Sequence, residues 1–296
     1  MFRSLLLLYT ALFFLSCAGP FQNNEKITGY NLTQPDQRLI MPDILHEVSD
    51  VTEVDASSFA CIQDENGILF IYDAVKNEIK KQYHFNIDGD YEGIARVGKQ
   101  IYVLRSDGTL YEISDYSSDN FKLTTYVTGV PAANNEGLCY DKANNRLLIG
   151  CKSNLGKGPE FKDKRGIYAF DLGTKKLVRD PVFEFDINDI KQFAEKHNIK
   201  LPERAKKDNA PEPVIKFRIS AIAIHPLNGK LYLLSATDHL FFIFDMKGGI
   251  EHMEQLNPSV FNKSEGITFF ENGDMLITNE GQKTKPTLLC FNYKGM

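Results

Sequence analysis

Three glutamates, Glu92, Glu136 and Glu265, each stand directly before a glycine and an apolar residue. Aligning their segments with two similar ones places Ser49 and Ser220 at the same repeat position, with successive spacings of 43, 44, 84 and 45 residues. If these segments surround one axis, the carboxylates gather there and repel one another. A hard cation, a basic neighbour or raised pKa values would relieve that repulsion. Calcium suits such a site because it accepts about six to eight oxygen ligands.

Further candidates lie close to the repeats. Glu280 follows an apolar run in Asn279-Glu280-Gly281, so we predict it as a fourth metal ligand beside Glu92, Glu136 and Glu265, with Asp90 as a secondary candidate. Arg105 and Lys152 end other apolar runs, where they would bind a ligand or neutralise the glutamates. The same residues also fit a purely structural role, in which a glutamate caps a turn or pairs with a base, and catalysis is a third interpretation.

The elements that position these residues are short β-strands. Each repeat continues with a second and a third apolar run, and the turns carry Asn228-Gly229, Asn272-Gly273, Asn66-Gly67 and Asp107-Gly108, which favour hairpins. Four antiparallel strands in a repeat of about 40–50 residues are typical of a propeller blade. We therefore predict an all-β chain: a single β-propeller of five or six four-stranded blades.

The 84-residue interval between Glu136 and Ser220 holds either one blade with insertions or two blades. Residues 152–165 and 200–213 are polar and are predicted as loops. Residues 186–197 predict a helix (an insertion near 186–198), because Asp186 can cap it and Ile187, Ile190 and Ala194 share one face. The last repeat lacks a clear fourth strand, and residues 27–32 are our candidate to supply it and remove an open edge.

The first residues predict export. Arg3 precedes an apolar run over residues 5–15, which is too short to span a bilayer and fits a signal peptide. Cys17 follows Ser16 at the end of this run, as in a bacterial lipobox, although an ordinary signal peptide with an incidental cysteine is the alternative. We predict a signal peptide at 1–16, a lipidated Cys17 and tether at 17–26, and the propeller domain at 27–296.

Composition excludes several classes of function. The formal net charge is −5, so the chain gains nothing from counterion release on a phosphate backbone, and we predict no nucleic-acid partner. The six histidines are scattered without zinc spacing, and no nucleophile elbow or phosphate loop is present. Apart from Cys17, the cysteines lie in apolar runs without C-x-x-C spacing, so we favour free buried thiols over disulfides: Cys61, Cys139, Cys151 and Cys290.

The segments EVSDVT, DYEGIA, IYVLRSDGTLYEI, NNEGLCYD, ISAIAIHPLNGKLYLLSA, SEGITF and ITNEG resemble the SdiA-regulated (YjiK-like) family of envelope-associated β-propellers. The resemblance extends from about residue 40 to residue 293. It implies a propeller usually classed as six-bladed and related in shape to calcium-dependent phytases. One branch of the family is linked to calcium homeostasis, which makes Ca²⁺ a candidate cofactor.

Together these patterns predict a membrane-anchored lipoprotein of the cell envelope that faces the periplasm. We expect a module that binds a small ligand or a protein at one propeller face, with calcium as a candidate cofactor, rather than an enzyme. The alternative is a calcium-dependent, phytase-like phosphoester hydrolase, in which the metal bridges substrate phosphate and an attacking water. That alternative rests on fold analogy, which is a weak warrant. A structural scaffold without a small-molecule site is the third reading.

Overall fold

The computed structural model describes residues 29–118, 120–206 and 209–295. The predicted signal peptide, the lipidated Cys17 and the tether lie outside the described residues. Within the described ranges, no helix combines the length and apolar character needed to cross a bilayer. The described chain is mostly β-structure with one α-helix, as the repeats predict.

The first two blades follow the predicted hairpin order. An N-terminal strand, β1 (Gln37–Ile40), comes before them and belongs to another blade. The first blade contains β2 (Val48–Asp55), β3 (Ser58–Gln63), β4 (Ile68–Asp73) and β5 (Glu78–His84). The second contains β6 (Tyr91–Val97), β7 (Gln100–Arg105), β8 (Thr109–Ser114) and β9 (Lys122–Val127). All neighbouring strands within these blades are antiparallel.

The third blade carries the insertions. Its strands are β10 (Asn135–Asp141), β11 (Arg146–Cys151), β12 (Lys164–Asp171), β13 (Lys176–Leu177) and β14 (Phe183–Asp186). Strands β13 and β14 both pair with β12, so they divide the position of the outermost strand between them. Helix α1 (Ile187–Lys196) follows, and its N-cap Asp186 accepts the N–H of Asn188 at 2.8 Å. The predicted helix is confirmed.

Residues 200–213, which we predicted as a loop, instead form a hairpin of β15 (Glu203–Lys206) and β16 (Asn209–Pro213). The fourth blade follows with β17 (Ala221–Ile224), β18 (Leu231–Ser235), β19 (Leu240–Phe244) and β20 (Ile250–Gln255). The 84-residue interval is therefore one blade with long insertions, and the six-bladed form implied by the family resemblance does not describe this chain.

The fifth blade joins the two ends of the chain. It contains β21 (Ser264–Phe269), β22 (Met275–Asn279) and β23 (Thr287–Phe291), and β1 supplies its outer strand through pairs such as Arg38↔Leu289. Our prediction that an N-terminal segment closes the ring is correct, but the segment is Gln37–Ile40 and not residues 27–32. Tyr30 and Leu32 are instead buried side chains between the fourth and fifth blades.

The hydrophobic core consists of five clusters, each between two adjacent blades. The innermost strands contact one another in a closed cycle, in the order β2, β6, β10, β17, β21 and back to β2. A sheet whose two faces both pack on neighbours must be apolar on both, which explains the continuous burial of strands such as β3, β4 and β19. Cys61, Cys139, Cys151 and Cys290 are free thiols.

Candidate functional site

The repeat position is a β-bulge in four of the five blades. Pairing with the second strand skips a residue at Ser49, Glu92 and Glu265, and it shifts across Glu136-Gly137. A bulge leaves its extra residue outside the ladder and redirects the side chain, which is why bulges recur beside functional sites. The aligned glutamates thus occupy positions that the sheet does not use for pairing.

The residues after the bulges bring the inner strands very close together. A Cβ atom built on Gly93 would lie 2.8 Å from the Leu138 Cβ, and one on Gly137 would lie 3.1 Å from the Ala221 Cα. One on Gly266 would lie 3.0 Å from the Asp50 Cα. Small residues are required here because neighbouring backbones meet at the axis.

Asp50 occupies this glycine level in the first blade and fills the axis. Its carboxylate accepts the N–H of Val51 at 2.8 Å and that of Ile94, in the second blade, at 2.9 Å. The backbone N–H groups of Leu138 and Ile267 also bond to it. One side chain therefore joins the inner strands of four blades. Burial raises the pKa of Asp50 well above its usual value, and the N–H groups oppose that shift.

The glutamates lie at one end of this closed axis. We call this end the mouth: it is formed by residues at or just before the start of an inner strand and residues just after a second strand. Lys152 bonds to the Oε1 atom of Glu136, whose side chain is only 1% exposed. Lys263 lies 2.5 Å from the Oε1 atom of Glu280 and 3.5 Å from the Oε1 atom of Glu265.

Electrostatic effects show that these groups share one environment. Burial and the neighbouring charge of Glu136 raise the pKa of Glu92 to about 9. The same two causes raise the pKa of Glu265 to about 8, against the opposing charges of Lys152 and Lys263. Burial also raises the pKa of Glu136. Of the three ways to relieve repulsion, the described structure uses two: basic neighbours and raised pKa values.

Several buried oxygen atoms at the mouth have no hydrogen-bond donor. One is Oε2 of Glu136, and the side chains just before it leave two amide oxygens unpaired, Oδ1 of Asn134 and Oδ1 of Asn135. Oδ1 of Asp64, after the second strand of the first blade, is a fourth. Burial and the charges of Glu47 and Glu280 raise the pKa of Asp64 to about 7. Each unpaired buried acceptor costs about 1–3 kcal/mol, so this grouping disfavours folding on its own.

The predicted ligand-binding residues behave differently from each other. Lys152 joins the glutamates, whereas Arg105 forms a bidentate pair with Asp107 in its own hairpin, at 3.1 and 2.6 Å, and stacks over the ring of Tyr111. The serines at the repeat position bond to backbone: Ser220 donates to the Ser264 carbonyl at 2.9 Å and Ser49 to the Glu47 carbonyl at 3.3 Å.

The donor set has the oxygen chemistry that calcium prefers. In the described residues, however, no three carboxylate, histidine or cysteine groups are arranged to hold one metal ion. Lysine ammonium groups already contact Glu136, Glu265 and Glu280. The arrangement as it stands therefore does not fit a resident calcium ion, and metal binding would require the lysines to move.

Sequence reasoning missed five members of this site: Lys263, Asp64, Asp50, Asn134 and Asn135. Lys263 was detectable, because it precedes Glu265 by two residues in Lys-Ser-Glu-Gly. Asp50 was also detectable, because it is the one charged residue at a repeat position that glycine or alanine occupies in the other repeats: Gly93, Gly137, Ala221 and Gly266. Asp64 carried no signal, since its role depends on the second strand of the first blade ending beside the fifth blade.

Comparison with known proteins supports the fold. No family model matches the sequence, and no curated protein matches it. The glutaminyl cyclase of Myxococcus xanthus has a similar structure, with a TM-score of 0.56, 14% identity, and coverage of 88% of this chain and 95% of that one. A streptogramin B lyase structure gives 0.47 at 13% identity, covering 86% and 97%. At these identities the similarity shows the fold alone: this chain is a β-propeller.

Proposed function

We propose that this chain is a binding module of the cell envelope, similar to SdiA-regulated (YjiK-like) propellers, that holds a small ligand at the mouth. The observation that carries the proposal is the buried, unpaired Oε2 atom of Glu136 within a group of mutually repelling glutamates. If these glutamates served only to stabilise the fold, replacing them with uncharged side chains would increase the free energy of unfolding. Natural proteins keep such costs chiefly at functional sites.

The proposed location rests on the sequence. A short apolar run ending at Ser16-Cys17 fits a signal peptide with a lipidated cysteine. Several acyl chains on one residue hold a protein at a membrane, whereas a single chain binds only marginally. We therefore propose a lipoprotein that faces the periplasm, with a short polar tether before the propeller.

Metabolic labelling with an alkyne fatty acid tests the anchor. Wild type should incorporate the label and Cys17→Ala should not, and an unlabelled wild type would exclude lipidation. Protease added to intact cells tests the orientation, because a periplasmic protein resists digestion until the outer membrane is permeabilised.

Calcium is a candidate ligand only if the ion pair between Lys152 and Glu136 opens. Lys152 would have to leave Glu136, because its ammonium charge repels a divalent ion and its bond to Oε1 leaves only the Oε2 atom of Glu136 unpaired. Thermal unfolding with calcium and with chelator tests this. A higher midpoint in calcium, absent in Glu136→Gln, would support a metal at the mouth, whereas equal midpoints would exclude it.

A phytase-like hydrolase is the second candidate function. Two lysines lie among the mouth carboxylates, as a site for phosphate esters requires, but both are already paired with glutamates. Phosphate release from phytate and from a chromogenic monoester, measured with calcium present, tests this candidate. Inactivity toward both substrates would reject it.

The binding function itself is tested by unfolding the wild type in the presence of a compound panel. The panel contains calcium, amines, amino acids, sugars, phosphate esters and short peptides. A ligand that binds only the folded state raises the midpoint, by an amount that grows with its concentration. The proposal requires at least one compound to stabilise wild type but not Glu136→Gln. It fails if no compound does so.

The matched control is Glu184→Gln. Glu184 also pairs with a lysine, Lys164, but its side chain is 45% exposed and it lies on an outer strand. Its substitution should leave every midpoint shift unchanged. A compound that loses its effect in both variants acts on overall charge and not at the mouth.

A further inference from the structure

The unpaired atoms at the mouth specify what a ligand must offer. Oε2 of Glu136, Oδ1 of Asn134, Oδ1 of Asn135 and Oδ1 of Asp64 are all acceptors. Asn135 is fully buried, and its amide nitrogen already donates to the carbonyls of Ser106 and Ala132, at 2.9 and 3.3 Å. Its oxygen therefore has no donor within the described chain. A ligand group that satisfies these atoms must carry N–H or O–H donors.

Charge narrows the ligand further. With pKa values of about 9 and about 8, Glu92 and Glu265 stay protonated at neutral pH. In the described residues, the negative charge that faces the ammonium groups of Lys152 and Lys263 therefore comes from Glu136 and Glu280, and in part from Asp64. Asp90 and Glu47 add negative charge nearby. An anionic ligand would add to this repulsion, whereas a cationic donor would reduce it.

The two lysines show which cation these carboxylates accommodate. Each glutamate that meets a lysine does so through one carboxylate oxygen, and Glu136 keeps its second oxygen free. An ammonium group donates three hydrogen bonds and tolerates separated acceptors on different strands. A calcium ion instead needs several oxygens within about 2.3–2.6 Å of one point.

We propose that the mouth binds the ammonium group of an organic amine, held by Glu136 and the amide oxygens beside it. This inference rests on the proposed binding function and names the ligand class for the same site. The ammonium group takes the acceptors that Lys152 and Lys263 leave unused, and because those acceptors are buried, side chains at the mouth must move to admit it. The remainder of the amine extends out of the mouth, because the Asp50 level closes the axis below it.

Calorimetric titration of the full chain with n-butylammonium tests the proposal. Tetramethylammonium is the matched probe, since it carries the same charge without N–H donors, and calcium chloride is the competing class. We expect n-butylammonium to bind at least tenfold more tightly than tetramethylammonium. Glu136→Gln should weaken that binding at least tenfold, and Glu184→Gln should leave it unchanged.

Three results would overturn the ammonium proposal. Equal affinity for the two ammonium probes would show attraction to charge alone. Calcium binding that requires Glu136, without binding of n-butylammonium, would replace the amine by a metal and leave the binding function intact. No binding of any probe, together with a blank compound panel, would end both proposals. If Glu136→Gln does not fold, Asn134→Ala, which removes one of the unpaired amide oxygens, serves as the second variant, and weaker binding of n-butylammonium is expected.

Discussion

The carboxylate of Asp50 in the first blade accepts the backbone N–H of Ile94 in the second blade, 2.9 Å away. Bonds to Leu138 and Ile267 extend this link to the third and fifth blades. Most contacts between blades are made by apolar side chains, which fix distance but not register, and a few polar pairs such as Arg96 with Glu53 add to them farther along the strands. Asp50 therefore provides a directional, polar connection at the point where the blades converge.

Asp50→Ala should lower the free energy of unfolding by about 2–5 kcal/mol, because it leaves several buried N–H groups without an acceptor. Urea unfolding followed by circular dichroism measures the change. Asp180→Ala, at an exposed position, is the control and should change stability by less than about 0.5 kcal/mol. Equal stability of the two variants would show that the axial bonds contribute nothing.

Gly137→Ala tests the close approach of the inner strands. Gly137 has a φ of 80°, and an added Cβ would meet the Ala221 Cα at 3.1 Å. Gly98 has a φ of 61° and open space around it. Gly98→Ala should therefore cost only the backbone penalty of about 1–2 kcal/mol. Gly137→Ala should cost about 1–3 kcal/mol more, because it also forces two backbones apart. Similar costs for both would mean that the axis can widen freely.

The N-terminal segment should be indispensable for the ring. A shortened chain that begins at Pro42 loses strand β1, exposes the edge of β23 and removes the buried side chains of Tyr30, Leu32 and Met41. Each such side chain contributes about 1.5–3 kcal/mol on burial, so the total approaches the whole stability of a typical domain. We expect loss of the cooperative thermal transition and aggregation through the open edge. A chain that begins at Gly29 should unfold like the full protein.

The sequence predicted the blades well because their signals are local. The apolar runs and the turn dipeptides identified each hairpin, and Gly108, Gly229 and Gly273 have positive φ values of 85°, 68° and 92°. Gly67, in a similar Asn-Gly pair, has no such φ, and a Cβ added there would lie 2.2 Å from the carbonyl oxygen of Asn86. Closure by residues 37–40 instead of 27–32 depends on contacts between the two chain ends, and no local pattern encodes those.

The candidate site was predicted in part. The recurrence of Glu92, Glu136 and Glu265 predicted that their carboxylates would gather, and the structure brings them into one electrostatic environment. Arg105 and Lys152 occupy similar places in sequence and were both predicted either to neutralise the glutamates or to bind a ligand, but only Lys152 pairs with a glutamate. The difference is local, because Asp107, two residues from Arg105, already binds the Arg105 guanidinium.

Removing Lys152 should expose the cost of the buried carboxylate. Lys152→Met leaves Glu136, 1% exposed, without its charged partner, and we expect a loss of about 2–4 kcal/mol in unfolding free energy. Lys164→Met is the matched control, because its pair with Glu184 is exposed and should contribute less than about 1 kcal/mol. Adding Glu136→Gln to Lys152→Met should restore most of the stability. A double variant no more stable than Lys152→Met would contradict this account.

Stability should also fall as the pH rises, through the mouth glutamates. The pKa values of about 9 for Glu92 and about 8 for Glu265 lie above the ordinary value of 4.5, so the folded state binds more protons than the unfolded state between these limits. The free energy of unfolding contributed by these groups is therefore complete below pH 4.5 and is lost as the pH rises toward 8–9.

Urea midpoints across this pH range measure the effect. Glu92→Gln and Glu265→Gln mimic the protonated forms, so each should gain stability relative to wild type as the pH rises, by at least ~1 kcal/mol at the alkaline end. Glu195→Gln, on the exposed face of α1, should follow wild type at every pH. If the mouth variants also run parallel to wild type, their carboxyl groups ionise in the folded protein as freely as in the unfolded chain, because water or a bound cation already compensates their charge.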